Sequence, residues 1–217
     1  MELYEKPRPG RVVTEAPHTS EAGSAFPARV ALYEKYTIRN VRELDPLEQE
    51  EWWHGLDECG TLRAVFPDVP PGGLGLHFWR QFIDHKDHDI AMVYEIPARP
   101  GDNGIPVATA ESPATTRRAM FWLTGKCGLS AFLNFGFLKA GLADKIEIGR
   151  YVLWLLWSEA LGYKSLASLT PDYNLPAIAY AEALGGRIMG RWPGACLQAG
   201  SGRFRDGVLI QFLPEGE

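Results

Sequence analysis

EIGRYVLWLLWSEALGYKSLASLTPDYNLPAIAYAEALGGRIMG, running from Glu147 to Gly190, decides how this chain folds. A glycine or proline stands at nearly every change of pattern. Gly149-Arg150 is expected to open an apolar helix of about three turns. The run from Tyr151 to Trp157 is apolar on every face, as in a helix buried on most sides. Gly162 stops it, and Lys164 to Thr170 is short and apolar enough for a strand. Pro171 and Asp172-Tyr173-Asn174 make a turn. A second helix follows from about Leu175 to Leu184, with Gly185-Gly186 as its stop. A strand feeding a helix whose first amides face a crevice is a common seat for an anionic ligand.

Outward from this stretch, the N-terminal side reads as alternating strand and helix signals. Residues 1–30 hold Pro, Gly, Ser and Thr without apolar period and read as an extended arm ahead of one domain over 31–217. YTIRNVREL, from Tyr36, alternates like a strand. A helix should follow, with Asp45 as N-cap, Pro46 in its first turn and Gly60 beyond its end. Leu76 to His85 reads as a further helix. Strands are expected at Asp89–Ile96, Ile105–Glu111, Arg117–Leu123, Ser130–Leu138, Arg187–Trp192 and Gly207–Leu213. The order predicts an α+β chain with a mixed, twisted β-sheet flanked by helices.

The order and spacing of these residues resemble the C-terminal half of the GNAT superfamily, the acyl-CoA-dependent N-acyltransferases. Asn174, Ala177 and Leu184-Gly185 stand at the family's spacing, and Gly149 stands where the last glycine of its phosphate turn belongs. The resemblance implies the GNAT fold, acetyl-CoA as donor substrate and an amine as acceptor. It implies that Gly149, Arg150 and Tyr151 hold the pyrophosphate and that Asn174 contacts the cofactor arm. Backbone amides from about Leu133 to Phe137 would polarise the thioester carbonyl, with Phe135 and Phe137 binding the cofactor. Glu111 would be the base, with Glu95 a weaker candidate, and Tyr180 or Tyr173 the acid. Acceptor pockets in the family come from loops, here near residues 65–75 and 195–206. A fainter likeness, to GNAT-like proteins of tailed phages and prophages, rests on EIGR followed by TPDYNLPA and implies a virion or assembly partner.

The chain also departs from the pattern. Asp144 stands where the turn's leading Arg or Gln belongs, and Glu147 replaces its middle glycine. Two carboxylates there would repel a pyrophosphate by roughly 1–4 kcal/mol, which Lys145 and Arg150 offset in part. The family's tyrosine position is Ala181, one residue past Tyr180, and Gly186 replaces the usual Phe. An active acetyltransferase and a catalytically degenerate binding protein of the same fold therefore both stand open.

Bland readings compete elsewhere. Asn174 serves equally as an N-cap ahead of Leu175-Pro176. Asp84-His85-Lys86-Asp87-His88-Asp89 offers metal-ligand chemistry but reads as a solvated connector, so no metal is expected. Cys59, Cys127 and Cys196 have neither zinc nor disulfide spacing, which suits a reducing cytoplasm. A net charge of −5 disfavours general nucleic-acid binding. No apolar run reaches membrane-span length, and MELYEKPRPGR lacks a signal peptide's apolar core. Seven tryptophans imply a well-filled core or a large contact surface, such as a homo-oligomer would use.

Overall fold

The computed structural model describes residues 35–96 and 115–214. The arm expected over 1–30, the strand expected at Ile105–Glu111 and the candidate base Glu111 lie outside the described residues.

Among the described residues, seven strands form one mixed sheet: β1 (Tyr36–Asn40), β2 (Asp89–Glu95), β3 (Thr116–Cys127), β4 (Ser130–Phe137), β5 (Ser165–Pro171), β6 (Arg187–Gln198) and β7 (Arg203–Phe212). Their order is β1-β2-β3-β4-β5-β7-β6. All neighbours are antiparallel except β4 and β5, which run parallel. Five α-helices that lie wholly within the described residues flank the sheet: α1 (Pro46–Glu58), α2 (Thr61–Val65), α3 (Leu76–Asp84), α4 (Lys145–Trp157) and α5 (Leu175–Ala183).

Alternation along β3 sorts the core into two layers. Ala119, Phe121 and Leu123 pack with Ile148, Val152 and Leu156 of α4 and Ala181 of α5. Met120 and Trp122 pack with Trp52 and Leu56 of α1, Leu62 of α2 and Trp79 and Phe82 of α3. Trp52 and Trp79 are fully buried, and each finds a partner for its indole N–H: the Tyr94 hydroxyl at 2.9 Å and the Gln49 carbonyl at 3.0 Å. Tryptophan is tolerated in a core when that donor is satisfied.

Asp45 caps α1 as expected, its side chain accepting from the Glu48 amide at 2.9 Å, with Pro46 beginning the helix. Three local expectations need correction. β1 ends at Asn40 because the Asn40 side chain accepts from the Arg42 amide and turns Val41–Glu43 into a 3₁₀ helix. A short helix, α2, follows Gly60, whose φ of 68° reverses the chain between α1 and α2. The central helix does not open at Gly149. It begins at Lys145, and the Ile148 amide already donates to the Asp144 carbonyl at 2.9 Å.

Candidate functional site

β4 and β5 pair over only three positions, Ser130–Ser165, Ala131–Leu166 and Phe132–Ala167, and then part. The gap is a cavity of about 460 Å³. Leu133, Asn134, Phe135 and Phe137 line it from β4, and Ser168 to Pro171 from β5. It is a slot through the sheet: Thr61, Ala64 and Val65 of α2 border one end, and Ala177, Tyr180 and Ala181 of α5 the other. Two charged residues lie on its walls among the described residues, Asp68 on the α2 side and Lys145 at the start of α4.

The first turn of α4 faces this slot through Lys145. Because the helix begins there, the amides of Lys145, Ile146 and Glu147 have no partner inside the helix. Asp144 makes no side-chain cap bond. Beside it the Lys35 ammonium lies 2.8 Å from Glu147 and 3.9 Å from Asp144, and the Tyr36 hydroxyl donates to Glu147 at 3.2 Å. Burial pushes Tyr36 up to about 12, and the Glu147 carboxylate pushes the same way. The carboxylates that break the expected phosphate turn are therefore held by a neighbouring cation.

Tyr180 reaches across from α5. Its hydroxyl donates to the Lys145 carbonyl at 3.2 Å, and its ring stands edge-on to Phe135 and Phe137, with centroids 5.6 and 5.3 Å away. Burial alone holds its phenol far above the ordinary value near 10. Asn174 lines the slot and also caps α5, its side chain accepting from the Ala177 amide at 3.4 Å. The N-cap expected of Asn174 is formed, on a residue that also borders the slot.

The other predicted residues fall apart from this group. Gly149 is buried one turn inside α4, where its amide belongs to the helix ladder. Tyr151 is buried in the core, its ring tilted against Tyr36 and stacked on Trp154, with its hydroxyl donating to the Tyr36 carbonyl at 3.3 Å. Arg150 is exposed on the helix surface. The amides open to a ligand are thus those ahead of Ile148, a shift of one turn from the expected Gly149–Tyr151. Tyr173 is 38 % exposed beside Arg205 and does not line the slot. Glu95 forms an ion pair with Arg118, which also donates to the Ala140 carbonyl.

The polar run at 84–89 folds as a turn. The His85 and His88 rings stack 4.3 Å apart, the His88 ring nitrogen meets the Phe82 carbonyl at 3.1 Å, and Arg42 donates to both histidine carbonyls. Among the described residues no three metal-capable side chains converge. No helix among them is long and apolar enough to cross a membrane.

Solved structures share this architecture. A GNAT-family acetyltransferase from Bacillus anthracis superposes with a TM-score of 0.57 at 12% identity, over 83% of this chain and 95% of that one. The chain has the GNAT fold. A single-residue variant of the spermidine N-acetyltransferase SpeG from Vibrio cholerae gives a TM-score of 0.54 at 12% identity, over 82% and 94% of the two chains. The microcin C7 self-immunity acetyltransferase MccE, solved with acetyl-CoA and AMP, gives 0.56 at 10% identity over 84% and 94%. No protein-family model matches the sequence, and no curated protein does. In this GNAT fold the strand pair that parts is β4 and β5, and the helix facing the gap is α4.

Sequence reasoning missed several residues of the site. Lys35 lies ahead of the first strand, far in sequence from its partner Glu147. Thr61 sits on the unforeseen α2, where its hydroxyl donates to the Phe137 carbonyl at 2.7 Å. Ser168 was hidden within a strand, and its alternation with Leu166 and Thr170 was the available signal.

Proposed function

We infer that this protein transfers an acetyl group from acetyl-CoA to an amine, using the slot between β4 and β5. The observation that carries the reading is that slot: two parallel strands part after three pairs, directly in front of the open first turn of α4. An extended thioester arm fits such a gap, because strand edges on both sides offer unpaired peptide groups. Helix-start amides and the Lys145 ammonium suit the anionic end of CoA. MccE, of the same fold, was solved with acetyl-CoA.

In this reading the amine nitrogen attacks the thioester carbonyl carbon. Those β4 amides between Leu133 and Phe137 that face the slot stabilise the oxyanion. The C–S bond breaks, the amide C–N bond forms, and the nitrogen's excess proton leaves to a base, for which Glu111 is the candidate. The thiolate accepts a hydrogen bond from Tyr180, whose hydroxyl turns from the Lys145 carbonyl to give it. Full transfer of the Tyr180 proton is disfavoured, because burial holds that phenol far above a thiol's value near 8.5. The CoA thiolate then takes its proton from water.

Asp144 and Glu147 at the start of α4 favour a second reading, a GNAT-fold protein that binds or assembles without catalysis, whether in a virion or elsewhere. Calorimetric titration with acetyl-CoA separates the two. Micromolar binding, followed by amine-dependent thiol release, is expected of the transferase. Folded protein that takes up no acetyl-CoA rejects it.

A further inference from the structure

Ser168 is the first residue of β5 beyond its last pair with β4, and its remaining strand neighbour is Ile210 of β7. Alternation puts it on the same side of the sheet as Leu166, Ile210 and Phe212, all buried under α4 and α5. It lines the slot between Leu133 of β4 and Ala181 of α5. Its hydroxyl oxygen is closed to solvent and has no hydrogen-bond partner among the described residues. Three other polar groups on these walls do have one: Thr61 on the Phe137 carbonyl, Tyr180 on the Lys145 carbonyl, Asn174 on the Ala177 amide.

A buried hydroxyl without a partner lowers stability, and folded proteins keep few such groups. The fold itself gives no reason for a hydroxyl here, since the site is apolar and alanine would fill it without the loss. Rotation about a single side-chain bond carries a serine hydroxyl between staggered positions about 120° apart, so an oxygen lodged against the slot wall can turn toward an occupant. A thioester arm of the CoA type carries two amides along its length, each offering a carbonyl acceptor and an N–H donor.

We propose that Ser168 is the side chain that reads the amide-bearing arm of the acyl donor, its hydroxyl finding in a bound pantetheine amide the partner that the fold withholds. This rests on the slot being the donor site, as argued above. Affinity then depends on the hydroxyl, and the free protein gains no stability from it.

Ser168→Ala tests it with two readings on the same protein: the Tm without ligand, and the Kd for CoA by calorimetry beside wild type. The expected result is an unchanged or raised Tm with a Kd weakened about five- to tenfold, the span of one lost hydrogen bond. An unchanged Kd overturns the proposal. So does a Tm lowered by several degrees, since the hydroxyl would then be bonded within the fold. Wild-type protein that binds no CoA rejects the donor slot itself, and with it the role of Ser168.

Discussion

The hydroxyl of Tyr180 occupies the space that a side chain at Gly149 would fill. A Cβ built on Gly149 collides with that oxygen and comes within 2.7 and 2.8 Å of the two Leu184 methyls. The glycine thus lets α5 lie close on α4, and the close approach brings the Tyr180 hydroxyl to the Lys145 carbonyl at the mouth of the slot. A residue expected to touch a phosphate instead sets the spacing of the two helices that frame it.

Gly149→Ala should lower stability by up to about 2 kcal/mol, the difference between overpacking of about 1–3 kcal/mol and a helix-propensity gain of about 1. Removing the hydroxyl in the double variant with Tyr180→Phe should restore part of the loss. Urea titrations of the two single variants and the double variant measure this. Strict additivity would refute the contact.

Gly141→Ala should be worse, at about 3 kcal/mol, because the obstacle is main chain. A Cβ there meets the Arg118 carbonyl oxygen, with the carbonyl carbon at 2.8 Å, and backbone cannot rotate away as Leu184 can. A midpoint close to wild type in the same titration would show that this turn relaxes freely.

Glu147→Gln removes one of two carboxylates beside the first turn of α4 and frees Lys35 from its ion pair. CoA should bind about fivefold tighter, in line with an effect of about 1 kcal/mol between partly solvated charges. Lys35→Ala should act in the opposite direction by a similar factor. Both changes should shrink in 0.5 M salt as a general consequence of screening. Calorimetry at two salt concentrations decides the matter, and equal affinities across the three proteins would count against an anionic ligand at this helix start.

High pH should destabilise the fold. Burial pushes Tyr36 up to about 12, and raises Tyr94 and Tyr180 further still, a hydrogen bond to Glu48 adding to the effect at Tyr94. The unfolded chain ionises near pH 10, before these folded tyrosines do, so it binds fewer protons and stability falls as pH rises. The contribution is complete below pH 10 and is lost from there through 12 and beyond. Urea midpoints from pH 9 to 12, read with the phenolate absorbance near 295 nm, should fall together as the hidden tyrosines titrate. A flat midpoint across that range would contradict the burial of these phenols.

Local chemistry that involves neighbours in sequence was legible without coordinates. Asp45 and Pro46 mark the start of α1, Gly185 stops α5 at a φ of 88°, and the apolar runs of β2 and β4 are visible in their residues. A turn, a proline in the first helical turn and a glycine stop act within a few residues of each other, so α5 was legible, and the spacing of Asn174, Ala177 and Leu184-Gly185 carried the resemblance that implied the fold. The start of α4 was not legible. Glycine is read as punctuation in a sequence, but Gly149 answers to Tyr180, thirty-one residues away, and nothing near it reports that contact.

The sequence by itself determined most strands and the longer helices, the cap of α1 and the glycine stop of α5, since each follows from periodicity and from backbone preferences that neighbouring residues carry. Tertiary structure alone decided where β4 and β5 separate, which amides remain open at α4, that Lys35 holds Glu147, and that Ser168 faces the slot without a partner. Those are distances between segments far apart in the chain. They arise from packing two layers against one sheet, and side-chain periodicity contains no term for them.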